Sequence, residues 1–317
     1  MYKRVLVLGG TGFVGKNLQH LRPNWIYFDR KRWKHKDALL NLQKTLNIYK
    51  YYEPDAVLHL AARVGGIKDN SANQAVFFYE NTIINTNVIQ GAYLSNIPRV
   101  LSSLSTCAFP NVVRQYPFSE KALFSGPPAE TNFSYGFTKR MLHVQSVSYR
   151  KQYDLNYSTF CPSNIYGPQD HFNSENSHFV AALVSKLYNA KDKDVLEFWG
   201  TGEPKRQQLY VKDLIQIIPL LLEKHNTDLP LIVAPKENLS ILEMVNIALN
   251  KSEKNVTIGF NNMFDGQFRK DGDNTSLLKL IGDFKFTPFQ KGFNETYKWY
   301  KDNHEQSTIS SVKQQVR

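Results

Sequence analysis

Five residues with side chains suited to moving protons lie in the middle of the chain: Ser105, Cys107, Tyr135, Lys139 and His178. Tyr135 and Lys139 are one helical turn apart, so their side chains leave the same face of a helix. A cation beside a phenol is expected to lower its pKa, and the phenol then donates a proton to a carbonyl oxygen. Cys107 and His178 add a thiol and an imidazole that can move protons on carbon. The set suggests hydride and proton chemistry in one pocket.

A glycine-rich turn precedes these residues and joins the first predicted strand, Arg4–Leu8, to the first predicted helix, Phe13–Leu21. Such a turn lets the backbone approach a pyrophosphate and directs the N–H groups of the helix towards it. We therefore expect this turn to bind a dinucleotide cofactor through Gly9, Thr11, Gly12, Phe13, Val14 and Gly15.

The end of the second predicted strand, Trp25–Phe28, normally meets the adenosine ribose, and its residues give conflicting signals. Asp29 favours NAD, because a carboxylate can accept a hydrogen bond from a free 2′-hydroxyl. Arg30, Lys31 and Arg32 favour NADP, because their charges can pair with a 2′-phosphate. These residues lean towards NADP but do not decide between the two cofactors.

The elements that must position these residues alternate between short apolar runs and longer helix-like segments, which is typical of a parallel sheet built from βαβ units. The remaining strands of the first half are predicted at Ala56–Leu60, Arg99–Leu104 and Tyr157–Cys161, and its helices at Asp37–Tyr51, Asn73–Leu94 and Tyr135–Tyr153. The sequence thus predicts an α/β fold with a doubly wound parallel (Rossmann) sheet, which binds ligands at its carboxyl edge.

The pattern changes after Pro162, which indicates a second unit. We assign residues 1–162 and 206–238 to the Rossmann domain. Residues 163–205 and 239–305 are expected to form a smaller, discontinuous substrate-binding domain. The polar segment 306–317 is expected to be a disordered tail.

Composition restricts the partners of the chain. Its 317 residues carry 39 basic and 28 acidic side chains, and the net charge of +11 favours an anionic ligand, although no nucleic-acid-binding motif is present. No apolar run approaches the ~20 residues that span a bilayer. Cys107 and Cys161 cannot form a disulfide framework, and no cysteine–histidine cluster has metal-site spacing. The sequence predicts a cytoplasmic protein without a metal, a membrane span or a nucleic-acid partner.

Longer motifs around the five residues resemble one family. The glycine turn, the Ser-Thr-Cys segment and the Tyr-xxx-Lys pair are similar to those of extended short-chain dehydrogenases/reductases. Within them the chain resembles the GDP-L-fucose synthases, the animal-type enzymes in particular, over Ala61–Ile67, Leu104–Pro110, Asn132–Met141, Cys161–Pro168, Trp199–Arg206 and Asp265–Lys270. The resemblance extends from Arg4 to about Glu305.

The resemblance implies a bifunctional enzyme that uses NADP(H) to convert GDP-4-keto-6-deoxy-D-mannose to GDP-L-fucose. It implies that Cys107 removes the protons at C3″ and C5″ and that His178 returns protons from the opposite face. Hydride then reaches C4″ while Tyr135 protonates the oxygen, with Lys139 and Ser105 in support. Two alternatives stay open: a related enzyme acting on another 4-keto GDP-sugar, and a non-catalytic dinucleotide sensor, which the retention of all five residues disfavours.

The binding residues and the assembly are implied by the same resemblance. Contacts to NADP(H) are expected at Leu60, Ala61, Ala62, Pro162, Asn164 and Ile165, and also at Tyr135, Lys139 and His178. Contacts to the GDP-sugar are expected at Lys186, Trp199, Arg206, Arg269 and Asn164. The helix Asn73–Leu94 and the Tyr135 helix resemble a pair that forms a four-helix interface, so a homodimer is expected.

Overall fold

The protein, as a computed structural model, is described over residues 2–29, 38–172, 177–263 and 265–315. Its strands are Val5–Leu8 (β1), Ile26–Tyr27 (β2), Ala56–His59 (β3), Arg99–Ser103 (β4), Asn156–Pro162 (β5), Asn164–Tyr166 (β6), Val195–Phe198 (β7), Lys205–Arg206 (β8), Gln208–Tyr210 (β9), Pro230–Val233 (β10), Leu239–Ser240 (β11), Thr257–Phe260 (β12) and Arg269–Lys270 (β13). Its helices are Phe13–Leu21 (α1), Leu42–Tyr52 (α2), Ile67–Ala72 (α3), Gln74–Leu94 (α4), Phe133–Tyr153 (α5), Phe179–Asn189 (α6), Val211–Lys224 (α7), Ile241–Ser252 (α8), Thr275–Ile281 (α9) and Phe289–Gln315 (α10).

The central sheet has six strands in the order β10–β5–β4–β3–β1–β2, and every neighbouring pair is parallel. The chain leaves β1 for β2 on one side and then returns to β3 on the other, so the order reverses between β1 and β3. This arrangement confirms the predicted doubly wound sheet. The carboxyl ends of its strands form one edge, where such folds bind their ligands.

Both faces of the sheet are covered by helices. Successive strand residues point to opposite faces, so Leu6 and Leu8 pack with α2, α4 and α5 while Val5 and Val7 pack with α1 and α7. A strand that is buried on both faces reads as a continuous apolar run, which is why β1 and β3 are visible in the sequence.

A separate apolar cluster lies in the second half of the chain. It joins α6, α8 and α10 through residues such as Leu183, Met244 and Phe293, all of them fully buried. A small sheet adjoins it, in which β8 pairs antiparallel with β11 and parallel with β13. Arg206 is part of this small sheet, whereas the sequence-based boundary assigns it to the Rossmann domain.

Two helix predictions differ from the structure. Helix α2 begins at Leu42 rather than at Asp37, which lies outside the described residues, because the Asn41 side chain accepts a hydrogen bond from the N–H of Lys44 at 3.0 Å and caps the helix there. Helix α10 continues to Gln315, through most of the segment that the sequence assigns to a disordered tail, and the disorder of that segment stays a prediction. No proline or glycine follows Phe293 to end this helix.

Within the part of the chain that the structure describes, no helix is both long and apolar enough to cross a membrane.

Candidate active site

The glycine turn lies between β1 and α1, at the carboxyl edge of the central sheet. Gly9 has a φ of +92°, and a Cβ there would lie 2.9 Å from the backbone nitrogen of Ala61. A Cβ at Gly15 would lie 2.5 Å from the carbonyl oxygens of both Gly9 and Gly10. The turn is therefore packed too tightly for side chains at these positions, and this packing aims the start of α1 along the edge.

The start of α1 fits the diphosphate of a dinucleotide. Gly12 is the N-cap residue and offers no side chain to the first turn, so the N–H groups of that turn face the sheet edge. Thr11, Phe13 and Val14 belong to the same turn, and Leu60, Ala61 and Ala62 follow β3 beside it. Pro162 ends β5, and Asn164 and Ile165 lie in β6. The predicted cofactor residues are thus distributed along one edge, except for Arg30, which lies outside the described residues.

Tyr135 and Lys139 are both buried on α5, with Nζ of Lys139 5.7 Å from the centre of the Tyr135 ring. Nζ donates a hydrogen bond to the carbonyl oxygen of Ser103, at the end of β4, over 2.8 Å. Burial lowers the pKa of Lys139 to about 8. A Cβ at Gly136 would lie 2.5 Å from the carbonyl oxygen of Cys107, so this glycine lets α5 approach the segment after β4.

The predicted lowering of the Tyr135 pKa is wrong. Burial raises the pKa of this phenol well above its ordinary value of 10.0, and the nearby thiols of Cys107 and Cys161 raise it further. Lys139 directs its hydrogen bond to Ser103, so its charge does not compensate for the burial of the phenol. Tyr135 therefore keeps its proton near neutral pH, which is the form that a proton donor needs.

A buried chain of hydrogen bonds holds α5 against β3 and α4. Nε2 of His59 lies 3.0 Å from Oδ1 of Asn85, and Nδ2 of Asn85 donates to the carbonyl oxygen of Thr138 over 3.3 Å. Burial, and secondarily the charge of Lys139, lowers the pKa of His59 to about 3. The neutral imidazole therefore supports the helix that carries Tyr135 without adding a second charge beside Lys139.

Ser105 and Cys107 lie in the segment directly after β4, around a short 3-10 helix at Thr106–Ala108. The hydroxyl oxygen of Ser105 accepts a hydrogen bond from the N–H of Cys107 over 3.2 Å. This local cap fixes both side chains next to α5, because the carbonyl of Cys107 faces Gly136. The structure therefore brings Ser105, Cys107, Tyr135 and Lys139 into one site.

Lys270 contacts the thiol of Cys107. Its ammonium group donates a hydrogen bond to Sγ over 3.1 Å. Burial raises the pKa of the thiol, but the charge of Lys270, hydrogen bonds from Ser105 and Lys270, and the charge of Arg206 outweigh it. The pKa of Cys107 therefore lies below its ordinary value of 9.0, which favours the thiolate.

His178 is the N-cap residue of α6 and keeps part of its surface in contact with solvent, although protein surrounds much of its imidazole. Desolvation by the surrounding protein, followed by the positive charges of Lys270 and His171, lowers the pKa of His178 below 6.5. Lys270 thus acts electrostatically on both of the groups that the sequence predicts to move protons on carbon.

Four of the five predicted substrate residues fall into two groups, and the fifth, Asn164, begins β6. Arg206 lies on β8, where its charge reaches Cys107, and its Nη1 donates to the carbonyl oxygen of Lys205 over 2.8 Å. Trp199 is 69% exposed, so its ring is accessible to a ligand. These two residues face the site or the solvent.

Arg269 and Lys186 are instead engaged with the protein. Arg269 forms a bidentate ion pair with Asp271, with distances of 2.6 and 3.0 Å, and stacks over the Tyr116 ring at 4.9 Å. Lys186 donates to the carbonyl oxygen of Glu197 over 2.6 Å and lies 4.8 Å from the centre of the Phe198 ring. Contact of either residue with a GDP-sugar stays a prediction.

Lys270 has a contact in the site that the sequence did not reveal. Its ammonium group donates a hydrogen bond to the Cys107 thiol, which is 163 residues away in the chain. Contact with the nucleotide, expected from its position beside Arg269, stays a prediction. The only signal in the sequence was the family motif that contains it, because a two-residue strand leaves no periodic pattern.

Comparison with known sequences agrees with this geometry. The profile of the NAD dependent epimerase/dehydratase family matches residues 5–233. The chain is 33% identical over 315 residues to a GDP-L-fucose synthase from Dictyostelium discoideum, covering 96% of this chain and 97% of that protein. It is 32% identical over 320 residues to a probable GDP-L-fucose synthase from Drosophila melanogaster, covering 96% and 99%.

Comparison with solved structures gives the same result. The structure superposes with a TM-score of 0.86 on a GDP-L-fucose synthetase from Naegleria fowleri bound to NADP. The two chains are 28% identical, and the alignment covers 96% of this chain and 94% of the other.

Proposed function

The chain belongs to the NAD dependent epimerase/dehydratase family and, within it, to the GDP-L-fucose synthases, and we propose that it epimerises and reduces GDP-4-keto-6-deoxy-D-mannose to GDP-L-fucose. The observation that carries this proposal is the pairing of two kinds of chemistry in one site. A buried Tyr135 and Lys139 on α5 form a reductase pair, and an activated Cys107 adjoins them.

The epimerisation begins at Cys107. Its thiolate takes the proton from C3″ or C5″; the C–H bond breaks, an S–H bond forms, and the electron pair moves towards the 4-keto oxygen. Ser105 and the protonated Tyr135 donate hydrogen bonds to that oxygen and stabilise the enolate. His178 then returns a proton to the opposite face of the carbon, which inverts the centre, and exchange with solvent restores both groups.

The reduction uses the other pair. The cofactor is NADP(H), which supplies a hydride to C4″ when bound. Tyr135 gives its proton to the developing alkoxide, and its raised pKa keeps this proton in place until the oxygen becomes basic. Lys139, anchored to the carbonyl of Ser103, holds the positive charge beside the phenol.

Cofactor and substrate would bind to different parts of the sheet edge. The glycine turn and the start of α1, together with the segments after β3 and β5, would hold the cofactor. Arg206 would bind the diphosphate of the GDP-sugar, because a guanidinium can contact two phosphate oxygens at once. The separate apolar cluster of α6, α8 and α10 supports the assignment of 163–205 and 239–305 to a substrate-binding domain.

A homodimer and a cytoplasmic location are part of the same proposal. Exposed apolar side chains on α4 and α5 support a four-helix interface, among them Phe78, Tyr79, Leu94, Met141 and Val144. Both cysteines are free thiols, which is typical of a reducing compartment.

The test is to supply GDP-4-keto-6-deoxy-D-mannose with NADPH or NADH and to identify the product by NMR. We expect NADPH oxidation and a product that is inverted at C3″ and C5″ and reduced at C4″. Folded protein that leaves NADPH unoxidised would refute the proposal. A product reduced at C4″ but not inverted would refute the epimerase half alone.

A further inference from the structure

The contact between Lys270 and Cys107 joins two distant parts of the fold. Cys107 follows β4 of the central sheet, whereas Lys270 lies on β13 of the small sheet, directly opposite Arg206 in the register of β8. Pairing with β8 fixes the backbone of β13. The ammonium group is therefore held at the thiol, 3.1 Å from Sγ, by a neighbouring strand and not by a flexible loop.

Several titratable or charged groups surround the thiol. Tyr135 and Lys139 face it from α5, Cys161 from β5, Arg206 from β8 and Lys270 from β13. The ammonium group of Lys139 donates its hydrogen bond to the carbonyl oxygen of Ser103 and not to the thiol. Among these groups, Lys270 and Arg206 bring positive charge that lowers the pKa of Cys107, and of the two Lys270 is the one that donates a hydrogen bond to Sγ. The uncharged Ser105 also forms a hydrogen bond with the thiol.

We propose that Lys270 is a positioning residue for the epimerisation, whose ammonium group holds the Cys107 thiol in its ionised form and aligned for proton removal. A positive charge next to a thiol stabilises the thiolate. The inference rests on the proposed function, because Cys107 is the base of that reaction.

The same charge also lowers the pKa of His178. A cation disfavours the imidazolium form and so makes a protonated His178 a stronger acid. One lysine would therefore favour the charged base and strengthen the acid that returns the proton. Both effects act on the epimerisation and not on hydride transfer.

The thiol pKa can be measured without substrate. The pH dependence of iodoacetamide alkylation at Cys107, followed by peptide mass spectrometry, reports the thiolate fraction. Cys161 is fully buried and is resolved as a separate peptide. We expect Lys270→Met to move the midpoint upward by about 1 pH unit or more, and Lys270→Arg to retain most of the wild-type value.

A matched control is available on the neighbouring strand. Lys205 is exposed and lies opposite Arg269, one register position from Lys270, so Lys205→Met removes the same charge from the same small sheet without touching the thiol. We expect Lys205→Met to leave the midpoint unchanged. If Lys270→Met has the wild-type midpoint, the proposal is wrong.

If Lys270→Met does not fold, as judged by circular dichroism, the wild-type protein still decides the matter. A wild-type midpoint at or above 9.0 would exclude an activated thiol. A lower midpoint that is preserved in a folded Lys270→Gln variant would assign the activation to Arg206 and also overturn the proposal.

Activity then separates positioning from simple anion binding. At saturating substrate, the rate of solvent-deuterium incorporation should rise with pH. We expect this rise to occur at higher pH in Lys270→Met than in the wild-type protein, and Lys270→Arg to show a smaller shift. A higher KM with an unchanged pH profile would show that Lys270 only binds the diphosphate. Alkylation needs no substrate, so it tests Lys270 independently of the enzyme activity. If the alkylation midpoint depends on Lys270 but the protein is inactive on GDP-4-keto-6-deoxy-D-mannose, the proposed function alone is refuted.

Discussion

The two cysteines show how environment decides what a residue type does. Cys161 lies within the sheet, fully buried, and burial raises the pKa of its thiol well above the ordinary value. Cys107 is also desolvated, but Lys270, together with Ser105 and Arg206, reverses the direction of the shift in its pKa. The difference between an inert core thiol and a candidate base therefore lies in the groups that surround Cys107, and the ammonium group of Lys270 at 3.1 Å is the first of them.

Replacing the candidate base should separate the two activities. In Cys107→Ser the hydroxyl does not ionise near neutral pH, so deuterium incorporation at C3″ and C5″ should fall about 10²-fold or more. NADPH oxidation with the unepimerised ketone should continue, because Tyr135 and Lys139 are intact. Mass spectrometry in deuterated water and absorbance of NADPH measure the two rates.

The reciprocal variant is the control. Tyr135→Phe removes the proton donor of the reduction, so NADPH oxidation should fall while exchange at carbon persists. Exchange at the wild-type rate in Cys107→Ser would remove Cys107 from its assigned role.

At the scale of elements, close packing of backbone atoms requires glycine at two positions of the glycine turn. The turn touches the segment after β3 through Gly9, and α1 starts against the carbonyls of Gly9 and Gly10 through Gly15. These contacts are between backbone atoms, which cannot move aside as a flexible side chain would. The path of the turn therefore depends on the absence of Cβ atoms at Gly9 and Gly15.

A methyl group in this turn should weaken cofactor binding. The Cβ of Gly15→Ala would lie 2.5 Å from two carbonyl oxygens, so α1 has to shift. We therefore expect the unfolding free energy to fall by about 1–3 kcal/mol. We also expect NADPH to bind more weakly. Gly259→Ala is the control, since the nearest atom to its Cβ is Cγ1 of Val195 at 4.0 Å. Fluorescence titration with NADPH and thermal unfolding measure both effects; wild-type affinity in Gly15→Ala would contradict the expectation.

Short-range features of the site could be predicted from the sequence, and long-range ones could not. The spacing of Tyr135 and Lys139 and the glycine turn are encoded within one or two helical turns, and the structure places them as expected. The partnership of Cys107 with Lys270 depends on tertiary packing across 163 residues. The direction of the Tyr135 pKa also depends on burial, which no local pattern reveals.

At the scale of the whole molecule, a buried polar network holds the central sheet to α7. Arg99 is fully buried at the start of β4 and donates hydrogen bonds to the carbonyl oxygens of Leu221, Leu222 and His225. His225 in turn has Nε2 2.9 Å from the carbonyl oxygen of Thr159 on β5. The network satisfies the last carbonyls of α7, so it fixes where this helix ends.

Buried histidines should make the protein less stable in acid. Burial lowers the pKa of His143 and of His225 to about 4, from an ordinary value of 6.5. Between these values the unfolded chain binds more protons than the folded one, so stability is complete above pH 6.5 and is lost as the pH falls towards 4. Each histidine should contribute a slope of about 1.4 kcal/mol per pH unit.

Urea unfolding between pH 4 and 7 tests this expectation. His225→Gln should reduce the pH dependence of the unfolding free energy by the contribution of one bound proton. Equal slopes in His225→Gln and the wild-type protein would show that His225 is not the group that titrates.

Exposed apolar residues of α5 should control the assembly. Met141 and Val144 lie one turn apart and are exposed, so Met141→Asp with Val144→Asp should convert a dimer into a monomer of 36.5 kDa. Val112→Asp, at another exposed apolar position, is the control. Light scattering coupled to gel filtration gives the mass; a wild-type monomer, or a dimer that survives both aspartates, would contradict the proposed interface.

The small sheet of β8, β11 and β13 draws its strands from three separate stretches of the chain. On a ribosome, the glycine turn, Tyr135 and Lys139 are synthesised long before Lys270. A nascent chain that has folded its nucleotide-binding half therefore still lacks the counter-charge of its thiol. By the proposed role of Lys270, the thiol gains this counter-charge only after β13 has paired with β8.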